Sequence, residues 1–117
     1  MVPVKATFTL NSREHWAQRA RKRKAERTAV QLAWFATVRI HHAWEVIGAA
    51  CVITLTRIGP RKLDGDNVQG ALKAIRDEVA AQLGVDDGDD RLTWHYAQER
   101  GEYAVRVVIE TAEEVAA

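Results

Sequence analysis

Apolar and polar residues alternate in four stretches of the chain, which is the pattern of β-strands with one buried face. The first two stretches cover residues 2–10 and 47–57. The other two centre on Leu92–Tyr96 and on Tyr103–Ile109. Because only the short segment 99–102 lies between them, we predict that the last two strands form a hairpin.

Two further stretches have the periodicity of helices. Asn11 and Glu14 fit the two positions of a capping box, which predicts the start of a long helix over residues 12–40. In residues 67–83, apolar side chains recur every three or four positions, and Gly84 can end that helix.

The resulting order β-α-β-α-β-β predicts an α+β fold, with a mixed sheet and its helices packed on one face. We expect a single domain over residues 1–117. No apolar run reaches the roughly 18 residues that span a bilayer, and the chain does not open with the pattern of a secretion signal. The single cysteine, Cys51, fits a buried position in a reducing compartment. A cytoplasmic protein without a membrane partner is therefore expected.

Charge is distributed unevenly along the chain, although the formal net charge is only +1. Residues 1–63 contain 12 Lys and Arg against 3 Glu, whereas residues 64–117 contain 5 Lys and Arg against 13 Asp and Glu. A basic half indicates a polyanionic partner. An acidic half in the same domain would repel that partner unless a cation lies between them, as in a metal-dependent nuclease. The alternative is a chance segregation of surface charge.

Two acidic groups are candidates for holding such a cation. The first is Asp64-Gly65-Asp66, here named the DGD segment. In extended backbone, residues two apart point the same way, so both carboxylates are expected on one side. The second is residues 86–90, here named the acidic turn, with four aspartates. Hard oxygen ligands without nearby Cys or His favour Mg²⁺, for which Mn²⁺ can substitute.

Each acidic group also has a structural explanation. Asp66 fits the N-cap of the second helix, with Gln69 completing a capping box. The acidic turn fits a solvated loop. A calcium-binding EF-hand loop starting at Asp64 is a poorer explanation, because it requires Gly and Glu where the chain has Gln69 and Ile75.

Lys73 is a candidate for neutralising charge on an attacked phosphate. At about 100° per residue, Lys73 and Asp77 share the helix face of Asp66, opposite the apolar stripe. Because helical side chains lean toward the helix N-terminus, Lys73 is expected to lean toward the DGD segment. The alternative is a surface ion pair between Lys73 and Asp77.

Basic residues crowd the first helix, and others lead into the DGD segment. Phosphate contacts from such residues give affinity without sequence information. The alternative is a solvated helix face. The residues predicted to contact nucleic acid are Arg13, Arg19, Arg21, Lys22, Arg23, Lys24, Arg27, Arg61 and Lys62.

These features, in this order, resemble the RusA family of Holliday-junction resolvases. Its signature is an Asp-x-Asp-Asn stretch leading into a helix that bears Lys and Asp, followed by an Asp-Asp turn and two strands. Here the stretch is residues 64–67, the helix carries Lys73 and Asp77, and the turn contains residues 86–87. The resemblance covers roughly residues 4–110.

The resemblance implies a homodimer whose substrate is branched DNA, namely a four-way junction. It implies that the enzyme makes paired nicks in this junction and that it uses Mg²⁺ or Mn²⁺ as its cofactor. It also implies that Asp64, Asp66 and Asp87 hold the metal and form the catalytic site together with Lys73. No small-molecule substrate is expected.

The chain departs from the family pattern in two ways. Gly70 stands where the family usually has its lysine. The acidic turn has four aspartates, so the third ligand could also be Asp86, Asp89 or Asp90 instead of Asp87. The alternative function is therefore a non-catalytic module that binds nucleic acid.

Overall fold

The structure, a computed structural model, describes residues 5–11, 19–34 and 50–111. These residues form a single α+β domain in the predicted order. The strands are β1 (Lys5–Asn11), β2 (Cys51–Gly59), β3 (Leu92–Arg100) and β4 (Ala104–Thr111), and the helices are α1 (Arg19–Trp34), α2 (Gly65–Ala71) and α3 (Lys73–Leu83). The ends of the predicted first helix, 12–18 and 35–40, lie outside the described residues.

The four strands form one mixed sheet in the order β1-β4-β2-β3. Strand β4 runs antiparallel to both β1 and β2, whereas β3 runs parallel to β2. One row across the sheet consists of Phe8, Val107, Leu55 and Tyr96, all on the face that the helices cover. A parallel pair needs a long crossover connection, and α2 and α3 supply it between β2 and β3.

The predicted hairpin between the last two strands is wrong, because β2 lies between β3 and β4. The chain leaves β3 at Arg100, crosses the end of β2 and returns as β4. Gly101 makes this crossing possible: its N–H donates to the carbonyl of Gly59 over 3.1 Å, and a Cβ there would lie 2.9 Å from Ile58 Cγ2.

The helices pack on one face of the sheet, as predicted. In β2 and β4 buried positions recur mostly at every second residue, because successive side chains point to opposite faces. Helix α1 packs against α3 and β1. The largest fully buried side chains of this core are Ile53, Leu55, Leu72, Ile75, Ile109, Val30, Val79 and Val107. Cys51 is buried beside them, and this burial raises the pKa of its thiol.

The predicted second helix is two pieces joined at Leu72, whose side chain is buried. Leu72 still donates its N–H to the carbonyl of Val68, so the backbone hydrogen bonding runs on through the joint. Gly84 ends α3 in the left-handed conformation, φ 81°, as predicted. Among the described helices, none has the length and apolar character needed to cross a membrane.

Candidate functional site

The DGD segment lies between the end of β2 and the start of α2. The backbone of Asp64 is extended and forms the N-cap of α2, and Gly65 and Asp66 are already in the first turn. The extended-backbone argument for two parallel carboxylates therefore does not apply. The predicted N-cap at Asp66 is also wrong, because the N-cap is Asp64 and the helix begins two residues earlier than predicted.

Both carboxylates of the DGD segment are available to a ligand. Asp64 and Asp66 are exposed, and the Asp64 side chain makes no capping hydrogen bond. Within the described ranges, neither carboxylate has a hydrogen-bond or ion-pair partner in the protein. N-capping by a side chain therefore does not explain the carboxylates of Asp64 and Asp66.

Two side chains from the sheet hold the backbone that leads into the DGD segment. The Gln98 side-chain amide accepts from the N–H of Leu63 and donates to its carbonyl, each over 2.8 Å. Arg57 donates to the carbonyl of Arg61 over 2.6 Å. Strand pairing places Arg57 opposite Gln98, so these anchors come from neighbouring positions. Sequence reasoning missed Gln98, because its partner is 35 residues away.

The acidic turn is not a uniform solvated loop. Asp89 accepts two hydrogen bonds from the Arg91 guanidinium, over 2.9 and 3.0 Å, and one from the Arg91 backbone N–H over 2.9 Å. These bonds lower the pKa of the Asp89 carboxyl to about 2. Asp86 and Asp90 are exposed.

Replacing Arg91 with Ala is expected to return the pKa of Asp89 from about 2 toward its ordinary value of 3.8. Because the folded-state pKa is lowered, the contribution to stability is present above pH 3.8 and is lost as the pH falls toward 2. NMR titration of the aspartate carboxyl carbons measures this directly. An unchanged Asp89 titration in Arg91→Ala would show that the pairing does not form in solution.

Asp87 is held in a half-buried cluster that sequence reasoning did not predict. Arg76 Nε donates to Asp87 Oδ2 over 3.0 Å, and Arg76 Nη2 donates to the Asp87 carbonyl over 3.2 Å. Trp94 Nε1 donates to the same carbonyl over 2.8 Å. Arg76 also stacks on the Trp94 ring at 4.7 Å and donates to the Tyr96 hydroxyl over 2.9 Å. We name Arg76, Asp87, Trp94 and Tyr96 the Arg76 cluster.

Lys73 faces the acidic turn and not the DGD segment. Its Nζ lies 2.8 Å from Asp77 Oδ1 and 3.7 Å from Asp87 Oδ2. The alternative ion pair with Asp77 is therefore formed, and the predicted lean toward Asp66 is wrong. The hydrogen bond to Asp77, together with the charges of both carboxylates, raises the pKa of Lys73, so its ammonium stays protonated at neutral pH.

The structure does not gather the three predicted metal ligands. Among the described residues, no group of three or more acidic, His or Cys side chains is close enough to hold one ion. Lys73, which reaches Asp87, follows Asp66 by seven residues, or about 10 Å of helix. The DGD segment alone still fits Mg²⁺, which binds proteins through one or two carboxylates together with water and substrate phosphates.

Basic side chains lie on α1 and beside the DGD segment. Arg23, Lys24 and Arg27 are exposed on α1, and Arg61 and Lys62 are exposed between β2 and α2. Arg19, Arg21 and Lys22 belong to α1, whereas Arg13 lies outside the described residues. A shallow cleft of about 460 Å³ opens at the end of β2 that leads to Arg61 and Lys62. It includes Arg100, a basic residue that was not predicted to contact nucleic acid. The cleft is lined by Gly59, Pro60, Lys62, Gln98, Glu99 and Arg100.

Comparisons with known proteins do not assign the chain to a family. No protein family matches it. No curated protein matches it either. Thiamine-monophosphate kinase from Stenotrophomonas maltophilia K279a aligns in structure at 17% identity and a TM-score of 0.46, over 94% of this chain and 30% of that chain. The FtsZ W319Y mutant of M. jannaschii aligns at 14% identity and a TM-score of 0.41, over 93% of this chain and 27% of that chain. The chain thus spans less than a third of either protein.

Proposed function

We propose that this protein is a Mg²⁺-dependent endonuclease that cuts branched DNA, with the four-way junction as its substrate. The observation that carries the proposal is the DGD segment, where two exposed carboxylates, without partners among the described residues, follow the exposed Arg61 and Lys62 in the chain. Unpaired carboxylates repel a phosphate backbone unless a cation neutralises them. The resemblance of residues 64–87 to RusA resolvases supports the same activity.

Asp64 and Asp66 would hold the ion, which would polarise the scissile phosphodiester and activate the attacking water. Arg61 and Lys62 bind the phosphates on either side of the cut, next to the carboxylates. Gln98 and Arg57 fix the backbone between them, so the basic and acidic groups keep a constant separation. Lys73 presents a protonated ammonium further along the helix.

Paired nicks require two such sites on one junction, so we propose a homodimer as the active form. A dimer places the two sites against two strands of the junction, and paired cuts leave two linear duplexes with one nick each. The exposed basic residues of α1 add contacts to the arms of the junction that do not depend on DNA sequence.

A second candidate is a nucleic-acid-binding module without catalysis. It is favoured by the Arg76 cluster, because Arg76 and Lys73 already compensate the carboxylate predicted as the third ligand. Incubation of a labelled junction with Mg²⁺, with Mn²⁺ and with EDTA separates the two. Nicks that need the divalent ion support the endonuclease, whereas tight binding without nicks in every condition supports the binding module.

Replacing Arg23, Lys24 and Arg27 together with Gln is expected to weaken junction binding and to reduce its salt dependence. Each phosphate contact contributes about 0.9 to the slope of log affinity against log salt, so the slope should fall by about 2 to 3. Fluorescence anisotropy over a salt series in EDTA measures it. Arg106→Gln is the matched control, because that guanidinium is already paired with Glu99 over 2.6 and 2.9 Å. An equal loss of slope in the control and the triple variant would show that α1 does not contact DNA.

A further inference from the structure

The acidic turn contains one carboxylate whose surroundings differ from those of a metal ligand. The Oδ2 atom of Asp87 has the Arg76 guanidinium at 3.0 Å and the Lys73 ammonium at 3.7 Å. Two cationic groups within 4 Å already compensate its single charge. A divalent ion at Asp87 would face both of them, and like charges at such distances repel strongly where water is partly excluded.

The contacts of Arg76 indicate a fixed arrangement. All three nitrogens of the guanidinium are used: two on Asp87 and one on the Tyr96 hydroxyl. The ring of Trp94 lies against its face, and the Trp94 indole N–H holds the Asp87 carbonyl. The side chains of Arg76 and Asp87 are only 23% and 34% exposed, so solvent competes weakly for these bonds.

Lys73 is the outer member of this arrangement. Its side chain is 61% exposed, and its Nζ lies between Asp77 on α3 and Asp87 on the acidic turn. An ammonium on a flexible stem is normally free to sample many positions. Two carboxylates from different elements lie within 4 Å of its ammonium and favour this position on the surface of α3 over others.

We propose that Asp87 is a positioning residue and not a metal ligand: anchored by Arg76, it holds Lys73 as a preoriented binding group for a DNA phosphate. This inference rests on the proposed endonuclease function, and it assigns the ion to Asp64 and Asp66 alone. Lys73 touches the substrate, whereas Asp87 and Arg76 act only through Lys73.

The first test is Mn²⁺ affinity by calorimetry, without DNA, in the wild type, Asp66→Asn and Asp87→Asn. We expect Asp66→Asn to abolish measurable binding and Asp87→Asn to stay within about twofold of the wild type, because only the former removes a ligand. A loss in Asp87→Asn as large as that in Asp66→Asn would overturn the inference and make Asp87 a ligand.

The second test is a double-mutant cycle on junction cleavage with Lys73→Ala, Asp87→Asn and the double variant. A misplaced binding group can lower a rate by about 100-fold, so each single variant should lose about 10- to 100-fold. If Asp87 acts through Lys73, the double variant is no slower than Lys73→Ala alone. If the two losses multiply, Asp87 has its own role and the inference fails.

Control variants show whether a loss of rate comes from a damaged fold. Tyr96→Phe removes only the hydroxyl that accepts from Arg76 and should lower the rate less than Asp87→Asn does, with an unchanged thermal melt. Arg91→Ala breaks the equivalent pair in the same turn and should leave cleavage unchanged. A wild type that neither binds Mn²⁺ nor cuts DNA would refute the proposed function and this inference with it. If the wild type is active but a variant does not behave as expected, only the inference about Asp87 is refuted, and the proposed function stands.

Discussion

Replacement of Asp66 with Asn is expected to lower junction cleavage by about 1,000-fold or more. The substitution keeps the size of the side chain and removes the charge that would hold the ion. A metal ion contributes several kcal/mol to a phosphoryl-transfer transition state, and each 1.36 kcal/mol is about tenfold in rate. Single-turnover cleavage in Mg²⁺ measures the loss.

The same variant is expected to bind the junction as tightly as the wild type, or more tightly, because a charge that repels phosphate has gone. Glu102→Gln provides the charge-matched control: it removes one exposed negative charge from the loop between β3 and β4, which is not part of the DGD segment. Loss of binding in parallel with loss of cleavage in Asp66→Asn would contradict the proposed role of Asp66.

The largest expected effect on stability comes from Ile53→Ala. Ile53 is fully buried in β2, which has neighbours on both sides, and it lies opposite Ile109 and Trp94. Truncation removes buried methylene groups and leaves a cavity, which costs about 2–5 kcal/mol in such positions. Urea unfolding should show the loss as a lower midpoint with an unchanged slope.

Ile58→Ala is the matched control for this prediction. It makes the same truncation in the same strand, but Ile58 is only half-buried and lies on the opposite face of the sheet. A smaller loss of about 1 kcal/mol is expected there, since less apolar surface leaves water. Equal losses at the two positions would mean that the helices do not cover the face on which Ile53 lies.

The strands and helices could be predicted from the sequence because each depends on local periodicity. Alternation indicates which face of a strand is buried, and a period of three to four indicates a helix. Neither pattern states which strands are neighbours. For this reason β3 and β4 looked like a hairpin, although β2 separates them. Gly101 did not distinguish the two arrangements in the sequence, since its close approach to Ile58 is visible only in the structure.

The candidate site, like the fold, could be predicted from the sequence only in part. The DGD segment and Lys73 were found from their spacing in the sequence. The Arg76 cluster was not, because its bonds join a helix to a turn and a strand that are 11 and 20 residues further along. Arg76 lies beside the charged face of α3, where an arginine ordinarily means solvent exposure. The paired aromatic residues Trp94 and Tyr96, two apart on the covered face of β3, were the available hint that this helix face has partners.

The most direct test of the central claim is cleavage of a labelled four-way junction beside a linear duplex built from the same arm sequences, with Mg²⁺ and with EDTA. Denaturing gels give the position of each nick, and Asp66→Asn serves as the inactive control. We expect paired, symmetric nicks in the junction alone, only with Mg²⁺ and only with Asp66 present. Equal cutting of junction and duplex, or nicks that persist in EDTA, would contradict it.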